Sequence, residues 1–317
     1  MRVVVTDHDF ADLSIERDVL ADHEVVCPTD AVGAPVEPGD LAGADAVLNL
    51  RTDLDAGHVE AMADSCRVIA RYGIGVDNVD TDAATAAGIP VTNVPDYCLE
   101  EVSVHAITLA LALLRGVKRY DASVAAGEWE REAAAPLHRL SETTIGIVGY
   151  GAIGREVGRR AAALGADVVA SDPFLEPADV ADEPAELVAF EEVLDRAAAV
   201  SVHSPLTPET RGMFGADAFA RMRDDAVLVN VARGPIVDDD ALHEALEAGE
   251  VAGAGLDVFP EEPPAADHPL RGHPRVIATP HVAWYSEEAN DQRRRTAAGI
   301  VRAALAGEEV ENVVNEA

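Results

Sequence analysis

Short apolar runs alternate with helix-like patterns along the whole chain. In its first part these runs predict buried strands, and the stretches between them predict helices at 55–63 and 82–88. The predicted strands are 2–6, 24–27, 45–50, 67–71 and 90–93. Strands that alternate with helices at this spacing form a parallel sheet with helices on both faces. The pattern therefore predicts a small doubly wound α/β domain.

A second alternating series begins at residue 144. A helix is predicted at 155–164, and the predicted strands are 144–148, 166–170, 199–202, 226–230, 253–256 and 275–278. Six strands in such a series are typical of a dinucleotide-binding fold. The second series therefore predicts a larger domain of the same α/β class.

The chain is expected to pass between the two domains twice. The alternating pattern breaks near Pro95, and a last helix, predicted at 287–306, follows the second series. We expect this last helix to return to the first domain. The predicted domains are residues 1–97 with 288–317, and residues 98–287.

A long helix is predicted at 100–117. Its apolar residues recur at helical spacing, namely Val104, Ile107, Leu111 and Leu114. Such a stripe is typical of a helix that faces either the core or a second subunit. His105 on the same helix is interpreted as a packed or surface histidine, because a lone histidine is seldom catalytic.

The first strand of the second series leads into the turn G-Y-G-A-I-G at 149–154, a G-x-G-x-x-G pattern. Gly149 permits a tight turn, Gly151 lets the backbone approach a pyrophosphate, and Gly154 lets the next helix pack on the strand. That helix presents its N-terminal N–H groups to the phosphates. Asp172, after the second strand, can bind ribose hydroxyls and would repel a 2′-phosphate. The motif therefore predicts NAD rather than NADP.

The charge of the chain is strongly negative. Its 317 residues include 58 acidic and 24 basic side chains, which gives a formal net charge of −34, and Lys118 is the single lysine. This charge disfavours binding to nucleic acid or to an anionic membrane surface. It resembles the composition of salt-adapted proteins, and we expect the fold to need high salt, which screens the repulsion between carboxylates.

Cysteine usage and apolar runs bear on the compartment. Cys27, Cys66 and Cys98 form an odd number without a C-x-x-C pair, which favours reduced thiols in a cytoplasmic protein. The apolar run 107–114 is too short for a membrane span, and the chain starts without a signal-peptide pattern. No His, Cys and Asp residues have the spacing of a zinc site, so no metal is expected.

Three segments that follow strands of the second series carry isolated polar side chains. Arg233 follows one strand and His281 follows the last, while Glu261 and Glu262 follow the strand between them. Because the carboxyl ends of parallel strands share one sheet edge, we expect these side chains to meet. A guanidinium can bind a 2-oxo acid, and an imidazolium can supply a proton during hydride transfer. The residues alone leave open which carboxylate pairs with His281.

The segment from Arg71 to Asp77 follows a strand of the first domain. Its backbone N–H groups at Ile74 and Gly75 suit a substrate carboxylate, and Arg71 adds positive charge. A plain turn between strand and helix is the alternative, because glycine is common in turns.

The chain resembles the D-isomer-specific 2-hydroxyacid dehydrogenases along nearly its whole length. The resemblance is carried, in chain order, by RYGIGVDNVD, NVPDYCLEE, ARGPIVDDDAL, GAGLDVFPEEP and TPHVAWYSEEA. These segments look most like the C-terminal binding protein branch, with the phosphoglycerate dehydrogenases a near second. The resemblance implies two doubly wound parallel-sheet α/β domains, with a Rossmann NAD domain inserted into a flavodoxin-like substrate domain. It also implies a homodimer that acts on a small 2-oxo or 2-hydroxy acid.

The resemblance implies a role for each polar side chain at the strand ends. Arg233 would bind and polarise the substrate, His281 would be the acid–base group, and Glu262 would hold His281 in place. Trp284 would line the substrate pocket and favour an apolar or thioether side chain. A place in the core is the alternative for Trp284, because tryptophan usually buries most of its surface.

The resemblance also implies the cofactor contacts. The N–H groups of Ala152 and Ile153 would bind the pyrophosphate, and the Val231 carbonyl and Asp257 would bind the nicotinamide carboxamide. The loop around His203 would cover the adenosine. The full predicted set is Gly149, Gly151, Ala152, Ile153, Gly154, Asp172, His203, Pro205, Thr210, Val231, Ala232, Arg233, Asp257 and His281.

Two other functions are compatible with this pattern. An NAD(H)-sensing scaffold that turns over little would keep Arg233, Glu262 and His281, as sensors of the C-terminal binding protein branch do. A formate- or phosphite-type dehydrogenase is disfavoured, because formate enzymes of this group carry Gln at the position of Glu262.

Overall fold

The computed structural model describes residues 1–29, 36–134 and 136–316. Its first elements are β1 (Arg2–Val5), α1 (Ser14–Val19), β2 (Glu24–Val26), β3 (Ala46–Asn49), α2 (Ala56–Met62), β4 (Ile69–Arg71), α3 (Thr81–Ala86) and β5 (Val91–Thr92). The following elements are α4 (Leu99–Leu114), α5 (Val117–Ala125), β6 (Thr144–Val148), α6 (Ala152–Ala163), β7 (Asp167–Ser171), β8 (Ala185–Leu187), α7 (Phe190–Arg196), β9 (Ala199–Val202), α8 (Ala216–Arg221), β10 (Val227–Asn230), α9 (Asp239–Ala248), β11 (Gly253–Leu256), β12 (Val276–Ala278) and α10 (Glu287–Ala306). Both units built from these elements are α/β with parallel sheets, which confirms the predicted fold class.

The chain forms two compact units. The first consists of Met1–Tyr97 with Ser286–Ala317, and the second consists of Cys98–Tyr285. The sequence pattern predicts the later boundary two residues further along, after residue 287. The difference has a local cause, because the Ser286 hydroxyl accepts the N–H of Ala289 and so caps α10.

The first unit is built on a parallel sheet. Over the residues described, its strand order is β2-β1-β3-β4-β5, which is the flavodoxin-like order. Val4 in β1 lies opposite Val26 on one side and Val47 on the other. Both β1 and β3 are buried on the two faces, and this explains their unbroken apolar sequence.

A buried ion pair links α1 and α10 within the first unit. The Arg294 guanidinium donates hydrogen bonds of 2.9 and 2.6 Å to the two oxygens of Glu16, which is fully buried. The Tyr72 hydroxyl donates to the same carboxylate at 3.2 Å. Because Tyr72 directly follows Arg71, this cluster holds the start of the 71–77 loop.

The second unit is built on a wider parallel sheet. In the part of the chain described, its strand order is β12-β11-β10-β9-β6-β7-β8. The order reverses at β6, and the glycine turn follows that strand directly. The sequence pattern predicts six strands here and misses β8. That strand is short, lies at the sheet edge and exposes Glu186 at its centre, so it has no apolar run.

Three predicted bounds in the second unit are also corrected. The helix predicted at 100–117 ends at Leu114, because Gly116 has a φ of 61° and interrupts it before α5. The helix predicted from residue 155 begins at Ala152, with Gly151 as its N-cap. Strand β7 runs one residue later than the predicted 166–170, since the turn before it is closed by Gly165.

Two further observations concern the whole chain. Over the described residues, no helix is both long enough and apolar enough to cross a bilayer. None of Cys27, Cys66 and Cys98 is part of a disulfide, and burial raises the pKa of Cys66 to about 12.

Candidate active site

His281 and Glu262 form a direct hydrogen bond. Nδ1 of His281 lies 2.6 Å from Oε2 of Glu262, and both side chains are partly exposed. A carboxylate accepts hydrogen bonds only, so Nδ1 carries the proton of this bond. Nε2 is then the ring nitrogen that can exchange a proton with another molecule. Of the two neighbouring carboxylates, the one that pairs with His281 is therefore Glu262.

Glu262 is held in its ionised form. Burial by itself favours the neutral acid, but the hydrogen bond and charge of His281 outweigh it and lower the pKa of Glu262. The Phe259 N–H, which donates to Oε1 at 3.0 Å, and the charge of Arg233 act in the same direction. The carboxylate is thus charged at neutral pH and can stabilise a protonated imidazole.

Arg233 lies on a tight turn after β10. The buried Asn230 closes this turn, since its side chain donates to the Arg233 carbonyl at 2.8 Å and accepts the Ala232 N–H at 3.0 Å. Gly234 packs against the backbone of Phe259 and Pro260, where a Cβ would overlap the Phe259 carbonyl. This close packing joins the Arg233 turn to the segment that carries Glu262.

His281 lies on a turn that surrounds the side chain of Asp257. Asp257 is 1% exposed and accepts hydrogen bonds from the backbone N–H groups of Val282 (2.9 Å) and Ala283 (2.8 Å) and from the Thr279 hydroxyl (2.6 Å). His281 itself has a φ of 54°, a left-handed conformation that is rare for a residue other than glycine. The predicted carboxamide ligand Asp257 therefore also shapes the turn that carries His281.

The glycine turn has the shape that a pyrophosphate requires. Gly149 has a φ of 90°, and a Cβ there would lie 2.6 Å from the Ser204 nitrogen. A Cβ at Gly154 would overlap the Gly149 carbonyl, whereas the space beside Gly151 is open. Gly151 caps α6 without a side chain, so the first-turn N–H groups of Ala152 and Ile153 face an open approach. These features fit a dinucleotide phosphate.

Asp172 follows β7 directly and is half-buried. Its Oδ2 accepts the Tyr150 N–H at 2.9 Å and its Oδ1 accepts the Phe174 N–H at 3.0 Å. Each oxygen keeps acceptor capacity for a ribose hydroxyl. The carboxylate is thus tied to the glycine turn.

The predicted adenosine loop begins after β9. Its N–H at His203 pairs with Val148 beside the glycine turn, and burial lowers the pKa of the His203 ring to about 3, so that it is neutral. Thr210 closes the loop by donating to the Pro205 carbonyl at 2.7 Å. Val231, the predicted carboxamide partner, is buried just before Arg233.

Trp284 lies beside the turn of His281. Its indole N–H donates to the His281 carbonyl at 2.9 Å, and its ring meets Tyr285 edge-on. The side chain is half-buried rather than part of the core. Of the two interpretations of Trp284, a place in the deep core is excluded.

In the first unit, the 71–77 loop is held by the side chain of Arg71 and by side chains from outside the loop. Arg71 donates from Nε to the Gly75 carbonyl at 2.9 Å and from Nη1 to Asn49 at 3.2 Å. The Ile74 carbonyl accepts the side-chain amide of Asn93 at 2.7 Å. The guanidinium of Arg71 thus shapes the loop, a contribution that the sequence pattern does not predict.

The sequence pattern does not predict that the side chains of Asn230 and Asp257 shape the turns that carry Arg233 and His281. A polar residue at the carboxyl end of a buried strand is the signal that could have found both, because Asn230 ends β10 and Asp257 follows β11. No group of His, Cys, Asp or Glu within the described ranges is arranged to hold a metal ion.

Comparisons with known proteins add to this geometry. The family model for the NAD binding domain of the D-isomer specific 2-hydroxyacid dehydrogenases matches residues 107–283. The chain is 43% identical over 273 residues to the D-3-phosphoglycerate dehydrogenase of Mycobacterium leprae, a match that covers 86% of this chain and 51% of that protein. The chain thus spans about half the length of that relative.

Two further relatives are matched over more of their own length. The glycerate dehydrogenase of Methylorubrum extorquens is 38% identical over 256 residues, which cover 78% of this chain and 79% of that protein. The crystal structure of the D-lactate dehydrogenase of Aquifex aeolicus with NAD and lactic acid is 26% identical, has a TM-score of 0.87 and is matched over 96% of each chain. The second unit therefore contains an NAD-binding domain, and the chain belongs to the D-isomer specific 2-hydroxyacid dehydrogenase family.

Proposed function

We propose that this protein is an NAD-dependent dehydrogenase that interconverts a small 2-oxo acid and a D-2-hydroxy acid. The observation that carries the proposal is the 2.6 Å hydrogen bond between His281 and the ionised Glu262, on a unit that contains an NAD-binding domain. A carboxylate–imidazole pair is the usual device for moving one proton at neutral pH. Arg233 supplies the positive charge that an anionic substrate needs.

Each residue has a distinct part in this reaction. NAD, when bound, supplies or accepts the hydride. His281 gives a proton from Nε2 to the substrate carbonyl oxygen during reduction and takes it back during oxidation. Glu262 keeps the imidazole oriented and stabilises its charged form. Arg233 binds the substrate carboxylate and polarises the carbonyl, so that negative charge developing on its oxygen is stabilised.

The substrate and cofactor residues are assigned on the same basis. We propose that Arg71, Ile74, Gly75 and Trp284 contribute to substrate binding, with the first unit as the substrate domain. The proposed cofactor-binding residues are Gly149, Gly151, Ala152, Ile153, Gly154, Asp172, His203, Pro205, Thr210, Val231, Ala232, Arg233, Asp257 and His281.

Asp172 should set the preference for NAD. Its charge would repel a 2′-phosphate, so the wild type should use NADH at least about a hundredfold better than NADPH in kcat/KM. Asp172→Asn keeps an acceptor for the Tyr150 N–H but removes the charge, and it should narrow this ratio at least about tenfold. Asp167→Asn, at the exposed start of the same strand, is the control and should leave the ratio unchanged. An unaltered ratio in Asp172→Asn would contradict the assignment.

A substrate screen tests the proposed activity. NADH oxidation is followed with glyoxylate, pyruvate, hydroxypyruvate, 3-phosphohydroxypyruvate and 2-oxo acids with longer apolar side chains. Saturable oxidation with at least one of them is expected. Tight NADH binding without turnover of any of them would refute the enzyme and support the NAD(H)-sensing scaffold.

We also propose a homodimer that uses the exposed apolar surface around α4 and α5. Val104 and Val117 are about half exposed, and Trp129, which follows α5, is 90% exposed. Large apolar side chains left in water at this density are typical of a subunit interface. Light scattering during gel filtration should give about twice the 33.3 kDa chain mass. A Trp129→Ser variant should shift the mass toward the monomer, and a monomeric wild type would contradict the proposal.

The net charge of −34 should make stability depend on salt. Raising the ionic strength from 0.1 to 1 M shortens the screening length from about 10 Å to about 3 Å, which weakens repulsion between carboxylates. We expect Tm to rise by about 5 °C or more over this range of KCl. Sucrose at matched osmolality, which does not screen charge, serves as the control. A Tm that is flat or falls with KCl would exclude salt adaptation. The three cysteines, none of which is in a disulfide, support the proposed cytoplasmic location.

A further inference from the structure

His105 on α4 reaches the turn that carries His281. Its Nε2 lies 3.0 Å from the hydroxyl of Thr279, which follows β12, and its side chain is 24% exposed. The same nitrogen is 3.8 Å from Oδ1 of Asp257. The sequence pattern predicts only a packed or surface histidine here. The contact instead joins a helix to the last strand of the sheet.

The chemistry of these groups fixes the direction of each hydrogen bond. The Thr279 hydroxyl has one proton, and it lies 2.6 Å from the Asp257 carboxylate, which can only accept. Thr279 therefore donates to Asp257 and accepts from His105. It follows that Nε2 of His105 carries a proton. A hydrogen-bond chain therefore runs from His105 through Thr279 to Asp257.

Asp257 connects this hydrogen-bond chain to the turn that carries His281. Its side chain accepts the N–H groups of Val282 and Ala283, and its main-chain carbonyl accepts the His281 N–H at 2.8 Å. The turn holds His281 at a φ of 54°. A rotation of the Asp257 carboxylate would break its hydrogen bonds to the two residues that follow His281 in this turn.

We propose that His105 is a positioning residue for the proton transfer by His281, acting through Thr279 and Asp257. The inference rests on the proposed function. A donor at Nε2 fixes the Thr279 hydroxyl, which in turn fixes the Asp257 carboxylate against the turn. Loss of that donor removes one of the hydrogen bonds that fix the Thr279 hydroxyl, which loosens the contact of Thr279 with Asp257 and so the geometry between His281 and Glu262.

Two substitutions at residue 105 separate the hydrogen bond from the bulk of the side chain. His105→Leu removes the donor, and His105→Gln retains an N–H close to the position of Nε2. His105→Leu should lower kcat between about tenfold and a hundredfold, as a small misplacement of a catalytic group does. His105→Gln should keep kcat within about threefold of the wild type. Thr108→Val, one turn along α4, is the control and should match the wild type.

Substitutions at Thr279 test the middle member of the same hydrogen-bond chain. Thr279→Val removes the hydroxyl at constant shape and should lower kcat as His105→Leu does, while Thr279→Ser should restore it. The double variant His105→Leu with Thr279→Val should be no slower than the slower single variant, because both break one chain. These variants keep the test decisive if His105→Leu fails to fold.

The outcomes separate this inference from the proposed function. A wild type that oxidises no NADH with any 2-oxo acid would overturn the proposed function. An active wild type with equal kcat in His105→Leu, or with additive losses in the double variant, would overturn the role of His105 alone. Equal losses in His105→Leu and His105→Gln, with a lowered Tm in both, would assign His105 to packing and also refute the proposal.

Discussion

Replacing His281 with alanine should lower kcat for 2-oxo acid reduction by at least about a hundredfold, the usual size of a general acid–base contribution. The substitution removes the proposed proton donor and leaves the Glu262 carboxylate without the partner that lowers its pKa. The KM for the 2-oxo acid should change much less than kcat, because Arg233 remains. Single-turnover and steady-state assays at saturating NADH measure both quantities.

The matched control is His138→Ala. His138 is exposed and lies near Asp225, which precedes β10 at the amino edge of the sheet, whereas His281 follows a strand at the carboxyl edge. Its removal should change kcat less than twofold. Near-normal turnover in His281→Ala would remove the acid–base assignment.

The second large effect is expected from Arg233. Arg233→Ala should lower kcat/KM between about a hundredfold and a thousandfold, because one fixed donor to a developing oxyanion contributes that much. Arg233→Lys keeps the charge but loses the planar pair of donors, so its loss should be smaller but clear. Arg221→Ala, on the exposed ion pair with Asp195, is the control for removal of an arginine from the same unit. Equal kcat/KM in Arg233→Ala and Arg221→Ala would exclude a substrate role.

Local signals in the sequence predict much of this fold. The apolar runs locate both sheets, because buried parallel strands carry unbroken apolar sequence, and the glycine spacing predicts the turn before α6. These sequence signals do not predict an element where the local pattern is weak. Strand β8 has one exposed residue among three, and the interruption at Gly116 depends on a backbone angle that glycine allows but does not require.

The candidate site could likewise be predicted from the sequence only in part. Strand ends alone predict that Arg233, a glutamate and His281 belong together, because parallel strands end at one edge. The choice of Glu262 over Glu261 follows in the structure from a hydrogen bond across 19 residues of chain. The link from His105 to Thr279 spans 174 residues. Contacts of such separation depend on tertiary packing, and no periodicity in a single sequence encodes them.

The stereochemistry of the product is the sharpest test of D-2-hydroxyacid dehydrogenase activity. Purified protein in molar KCl is given NADH and the 2-oxo acid that it turns over best, and the 2-hydroxy acid formed is resolved by chiral chromatography. We expect the D enantiomer to accumulate in amounts equal to the NADH consumed, and His281→Ala to form it at least about a hundredfold more slowly. Formation of the L enantiomer or of a racemate, or an equal rate in His281→Ala, would contradict this expectation.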